Sequence, residues 1–193
     1  MNIHVDILVQ NNNDQTVAIE DSNNAVNEVV HTLEFINEMA NSRSKSAEEM
    51  YEEARRAYTD ADAGILCAAV ADFTPDHTAD HKIKRGKDGM TIQLKPTKDI
   101  AASLGATKKE GQVLVGFALE TNDEQQNAKG KLERKNFDFI VLNSLNDKGA
   151  GFRVDTNKIS IIDRQDTTSY SLKDKSEVAK DIIDRLVQTL NKN

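Results

Sequence analysis

The 193-residue chain has no tryptophan, one cysteine, two prolines and nine glycines, with no glycine anywhere in residues 1–45. The single cysteine, Cys67, excludes an intrachain disulfide and suits a reducing, cytoplasmic setting. Cations are also in deficit. Lysine and arginine number 25 against 32 acidic residues, a net charge of −7. That balance argues against generic binding to nucleic acid or to anionic membranes, both of which need a basic face. No apolar run approaches the roughly 18 residues of a membrane span. The opening "MNIHVDILVQ" has neither the basic flank nor the apolar stretch of a signal peptide. Scarce proline and the lack of repeats or low-complexity tracts leave a globular chain. Its length fits one domain with a sizeable core, or one domain with an appendage.

What is present is an ordered series of patterns. Ile3, Val5, Ile7 and Val9 alternate as in a half-buried strand, and "TVAIE" at 16–20 predicts a second strand in a hairpin. Val26, Val29, Val30, Leu33 and Ile36 predict an amphipathic helix over 24–40. "SAEE" at 46–49 fits a capping box, with Ser46 opening a helix that runs to about Tyr58. "AGILCAAVA" at 63–71 is apolar on both faces and reads as a covered parallel strand. "MTIQL" predicts a short strand. "DIAASLG" predicts a short helix with Asp99 near its start and Gly105 past its end. Buried strands follow at 112–119 and 137–143, separated by a lysine-rich helix over 122–136. "GAGFRVDTNKISIID" at 149–163 predicts a glycine-rich loop and a hairpin turning at "DTN". A last helix, capped by Ser176, places Val178, Ile182, Leu186 and Leu190 on one face. Strand–helix alternation from residue 46 predicts an α/β fold with a doubly wound, Rossmann-like, mostly parallel sheet, a C-terminal hairpin and an atypical N-terminal part.

Ligands of such sheets bind outside the carboxyl ends of the strands. That selects "ADF" after residue 70, "FALET" at the end of the second buried strand and "NSL" at the end of the third, with Asp72, Glu120, Thr121 and Asn143 as polar groups. Cations crowd into the segment after Asp72, at Lys82, Lys84, Arg85 and Lys87, and into the helix at Lys129, Lys131 and Lys135. Lys131 and Lys135 are four apart and share a helix face. Spacing alone allows either a solvated face or a polyphosphate clamp. His77 and His81 are also four apart, but "HTADH" lacks the glutamate of the zinc-protease motif and reads as an exposed loop. Cys67 reads as a small core residue.

"AAVADF", "KIKR", "DIAASLG", "VGFALET", "KLERKNFDFIVLN" and "GAGFRVDTNKISIID" occur in this order. Together they resemble bacterial phosphopantothenoylcysteine synthetase, the CTP-dependent phosphopantothenate–cysteine ligase of coenzyme A biosynthesis, over about residues 45–191. The resemblance implies a synthetase-like α/β domain over 46–193 behind an atypical hairpin plus helix over 1–45. It implies CTP as co-substrate, Mg²⁺, and the partners 4′-phosphopantothenate and cysteine. A decarboxylase domain and a second copy, through the strands near 152–163, are the implied protein partners. It also assigns residues. Ala69, Asp72 and Phe117 face the nucleotide, Asp99 and Ile100 open a helix beside it, Lys131 and Lys135 hold its phosphates, and Lys82 acts catalytically from a closing flap. Arg85 and Lys87 remain surface charges.

Members of that family open with a glycine-rich turn that binds phosphate through backbone amides. Residues 1–45 contain no glycine and so cannot supply it. Where the family often has N-P-D-I, this chain has Thr97, Lys98, Asp99 and Ile100. Two functions follow as expectations: the CTP-dependent ligase, or a non-catalytic nucleotide-binding or dimerisation module derived from it.

Overall fold

Four parallel strands and two antiparallel ones form the main sheet of the computed structural model, which describes residues 5–8, 46–84, 89–144, 146, 149–150 and 154–192. The parallel strands are β1 (Val5–Leu8), β2 (Ala63–Leu66), β5 (Val113–Glu120) and β6 (Phe139–Ser144). The antiparallel ones are β8 (Ile159–Asp163) and β9 (Thr167–Ser169), and the order across the sheet is β1-β2-β5-β6-β8-β9. β1 lies within the strand read at 3–9 and pairs with β2, Val5 opposite Ala63. The second strand and the helix expected at 16–20 and 24–40 lie outside the described residues.

Alternation along β5 divides the core. Val113 and Val115 point to one face with Ala63, Ile65, Phe139, Val141, Ile159 and Ile161. They are covered there by Val178, Ile182, Leu186 and Leu190, the predicted stripe of α4 (Lys175–Leu190). Leu114 and Ala118 point to the other face. It is covered by α1 (Ala47–Tyr58), α2 (Ile100–Thr107) and α3 (Glu124–Arg134) through Ala54, Leu104, Ala128 and Leu132. Helices on both faces make the sheet doubly wound, as the apolar runs predict. Ser46 caps α1 as expected, its Oγ accepting the Glu49 N–H at 3.2 Å.

Several local expectations are corrected. β2 ends at Leu66. Residues 67–71 carry the same apolar composition out of the sheet, where it lines a cavity instead of a ladder. The strand expected at 90–94 is displaced. Leu94–Pro96 (β4) pairs with Phe73–Pro75 (β3) in a separate two-stranded ribbon, with Phe73 opposite Pro96. Phe73, Ile83, Met90, Ile92 and Leu94 are exposed in this region. The hairpin does not turn at "DTN". Thr156–Asn157 (β7) pairs with Lys173–Asp174 (β10), and the true turn is at 164–166. There Asp163 Oδ1 accepts the N–H groups of Gln165 and Asp166, each at 2.7 Å, an aspartate turn that sets the hairpin. β8 is an internal strand, with β6 and β9 on its two edges. Ser176 lies inside α4, which starts at Lys175 after Asp174.

Gly105 sits within α2, not beyond its end, for a steric reason. A Cβ there would lie 2.0 Å from the Lys135 carbonyl oxygen, so only glycine lets α2 touch the chain leaving α3. Asn136, at φ 51°, completes the joint by donating from Nδ2 to the Gly105 carbonyl at 2.9 Å. Among the described residues no helix is long and apolar enough to cross a membrane.

Candidate functional site

The chain leaving β2 and the chain entering α2 are stitched together at the carboxyl end of the sheet. Thr97 N–H donates to the Asp72 carbonyl at 2.9 Å, and Thr97 Oγ donates to the Ala71 carbonyl at 2.6 Å. This brings the 68–72 segment beside the start of α2, where Asp99 Oδ1 accepts the Ala102 N–H at 3.0 Å as an N-cap. The Gly105–Asn136 joint brings the far end of α3 to the same place. Between these elements lies a cavity of about 220 Å³. Its apolar walls include Leu66, Val70, Phe117 and Phe137, and its charged rim is Asp72, Lys98, Asp99, Lys131 and Lys135.

Each rim lysine has a carboxylate partner. Lys131 Nζ lies 2.6 Å from Glu120 Oε1 at the end of β5. Lys135 Nζ lies 3.0 and 3.1 Å from the two Asp99 oxygens. Lys98 Nζ lies 2.5 Å from Glu48 and 3.5 Å from Glu52, over the ring of Tyr51 at 4.4 Å. The Glu48 hydrogen bond raises the Lys98 pKa, so Lys98 is held as a cation. Burial of Cys67 pushes its thiol up to about 11, which fits the inert role read from sequence.

Partial burial works to raise the Asp99 pKa. The Ala102 N–H and then Lys135 outweigh it, and the carboxyl is held below the ordinary value of about 3.9. A lowered folded-state pKa gives stability that is fully present above the unfolded value and is lost as pH falls through the folded one. Asp99→Asn keeps a capping side chain but removes the titration. We expect a smaller fall in melting temperature between pH 5 and pH 3 than in the unmodified chain, and a cost below about 1 kcal/mol at pH 7 for this half-exposed pair. Thermal melts across that range check it. Asp163, lowered despite its own burial by the Asp166 and Gln165 N–H groups, keeps part of the acid sensitivity in the variant.

Of the residues singled out from sequence, Asp72, Asp99, Ile100, Phe117, Lys131 and Lys135 line this one cavity. Ala69 is exposed between the lining residues Ala68 and Val70. Lys82 is exposed and is not among the lining residues, so the convergence expected of positions 82, 131 and 135 holds here for the last two. Arg85 and Lys87 lie outside the described residues. Asn143 is elsewhere, accepting from Asn157 Nδ2 at 3.0 Å. His77 is exposed, 3.2 Å from its neighbour Asp76, and among the described residues no group of three or more metal-ligating side chains occurs. Sequence reasoning did not find the Thr97 stitch, or Met50 and Phe137 as walls. Their contacts cross tens of residues, and no local pattern marks them.

Comparison with known proteins agrees with this fold. The family model for the DNA/pantothenate metabolism flavoprotein C-terminal domain matches residues 24–190. A curated relative from an unknown prokaryotic organism, a cysteine/cysteine sulfinic acid decarboxylase, is 57% identical over 144 residues, 74% of this chain and 40% of that protein. The coenzyme A biosynthesis bifunctional protein CoaBC of Bacillus subtilis (strain 168) is 50% identical over 117 residues, 61% of this chain and 29% of that protein. The crystal structure of the C-terminal domain of a CoaBC protein superposes with a TM-score of 0.62 at 30% identity, covering 77% of this chain and 64% of that one. The chain thus spans well under half the length of these two curated relatives. It belongs to the DNA/pantothenate metabolism flavoprotein C-terminal domain family.

Proposed function

We propose that this chain supplies the ligase step of coenzyme A biosynthesis, joining 4′-phosphopantothenate to cysteine at the expense of CTP. The observation that carries the reading is the meeting of three lysines, an α-helix N-terminus and Phe117 around one cavity at the strand ends. The name of the Bacillus subtilis relative points to the same pathway. A carboxylate is a poor acyl donor until its oxygen becomes a good leaving group. In the proposed first step a carboxylate oxygen attacks the α-phosphorus of CTP, an O–P bond forms, and the bond to the β-phosphate breaks to release pyrophosphate. The cysteine amine then attacks the acyl carbon, gives up a proton, and expels CMP as the amide forms.

The side chains fit these demands. Phe117 and the apolar walls suit the nucleoside, and Asp72 suits the cytosine amine as an acceptor. Lys131 and Lys135 stand where phosphate charge develops. The Ile100 N–H at the start of α2, beside the Asp99 cap, adds to them. At about 220 Å³ the cavity falls below the roughly 300–1,000 Å³ typical of small-molecule sites. A nucleotide would therefore extend beyond it, toward the segment that carries Lys82. Among the described residues there is no protein ligand cluster, which suits Mg²⁺, because it takes most of its ligands from substrate phosphates and water. When bound, it neutralises triphosphate charge. On this reading a decarboxylase domain and a second copy are the expected protein partners. With both edges of β8 paired, a contact between copies through Ile159–Asp163 would use side chains.

One observation favours a second reading, a nucleotide-binding or dimerisation module without catalysis: residues 1–45 lack the glycines of a phosphate-cradling turn. Pyrophosphate release with CTP, Mg²⁺, 4′-phosphopantothenate and cysteine separates the two. The ligase reading expects release that stops when CTP or 4′-phosphopantothenate is omitted, and that Lys82→Ala slows by at least about tenfold. No release, with CTP at about 100 times its dissociation constant still adding roughly 2.7 kcal/mol of stability, supports the module instead.

A further inference from the structure

The geometry points to Lys98 as a phosphate-counting cation, stored on α1 while the cavity is empty and transferred to the distal phosphates of a nucleoside triphosphate when one binds. This rests on the nucleotide reading of the cavity. Lys98 lines the cavity, yet its counter-ions, Glu48 and Glu52, do not. They stand four apart on one face of α1, outside the lining, with Tyr51 beneath the ammonium. Tyr51 is itself held by a hydroxyl–hydroxyl hydrogen bond to Ser103 of α2 at 3.1 Å. The result is a fixed perch for one lysine at the cavity mouth.

The three lysines differ in what they can give to a ligand. Lys131 is paired with Glu120, whose side chain is only 15% exposed, and Lys135 with Asp99, which also caps α2 at the cavity itself. An incoming anion meets Lys135 together with Asp99, while Lys131 stays tied to the largely buried Glu120, which is itself outside the lining. Lys98 and its two glutamates are each about half exposed, at 49%, 59% and 56%. Such solvated pairs exchange partners easily. Turning Lys98 inward leaves its glutamates behind in water, so it brings a net positive charge to the cavity that the other two do not. That added charge favours the ligand with more phosphates.

Calorimetric titration of the 193-residue chain with CTP and with CMP at low ionic strength tests this. Lys98→Gln is expected to weaken CTP binding about tenfold while CMP binding changes less than twofold. Lys98→Arg is expected to retain most of the CTP affinity. Glu48→Gln combined with Glu52→Gln, which frees Lys98 from its perch, is expected to tighten CTP binding about threefold. An unchanged melting temperature for Lys98→Gln shows that the effect is local. CTP affinity within twofold of the unmodified chain in Lys98→Gln, or equal weakening of CTP and CMP, overturns the inference alone. Binding of neither nucleotide by the unmodified chain overturns it together with the nucleotide reading.

Discussion

Gly105→Ala will lower the melting temperature by about 6–12 °C, corresponding to about 3 kcal/mol for a domain of this size. The new methyl carbon would sit 2.0 Å from the Lys135 carbonyl oxygen and 2.8 Å from its carbon. Both are backbone atoms, so no side-chain rotation relieves the clash. Either α2 or the turn after α3 must move. That movement breaks the Asn136–Gly105 hydrogen bond and pulls Lys135 from Asp99. The loss therefore has two readouts. Stability falls, and CTP binding weakens even though residue 105 touches no ligand. Thermal melts with titration calorimetry check both. A variant that melts within about 2 °C of the unmodified chain would show that the two helices do not meet as closely as described.

The second large effect is on chemistry. Lys131→Ala is expected to reduce pyrophosphate release by about 10²–10³-fold, the usual cost of removing one pre-positioned group that stabilises developing negative charge. The substitution also strips Glu120 of its ion-pair partner, leaving it the Asn127 amide at 3.5 Å. Glu120 is 15% exposed and Lys131 37% exposed, so the penalty should be about 1 kcal/mol, well below that of a fully buried pair. The double variant Lys131→Ala with Glu120→Gln separates the causes. If the lysine acts on the phosphates, the double variant regains stability and stays slow. If release returns with stability, the lysine was only a counter-ion for Glu120, and its place in the proposed mechanism is lost.

How much of this could be read without coordinates depends on the range of each interaction. The Ser46 and Asp99 caps act over three residues. The stripe Val178, Ile182, Leu186 and Leu190 repeats every four, and the alternation of Val113, Leu114 and Val115 has period two. Those signals are local, and the elements were legible. The pairing of Lys131 and Lys135 on one wall was legible for the same reason. Gly105 was misplaced because the atom that demands a glycine belongs to Lys135, thirty residues on. The strand expected at 90–94 was misplaced because its partner is Phe73–Pro75, not the main sheet. From sequence Lys98 stands out only as a departure from N-P-D-I, because its partners Glu48 and Glu52 precede it by about fifty residues.

The two prolines have a consequence of their own. In the β3–β4 ribbon, the Thr97 N–H reaches the Asp72 carbonyl and the Asp76 N–H reaches the Gln93 carbonyl. Thr74 and Lys95, midway between those bonds, therefore face each other across the ribbon, while Pro75 and Pro96 turn their backbones outward. Each rim thus loses one of its two outward hydrogen donors, leaving Phe73 on one edge and Leu94 on the other. The ribbon carries greasy side chains in water while offering a poorer template for fibril-like growth, a safeguard built from the scarcest residues after cysteine and tryptophan.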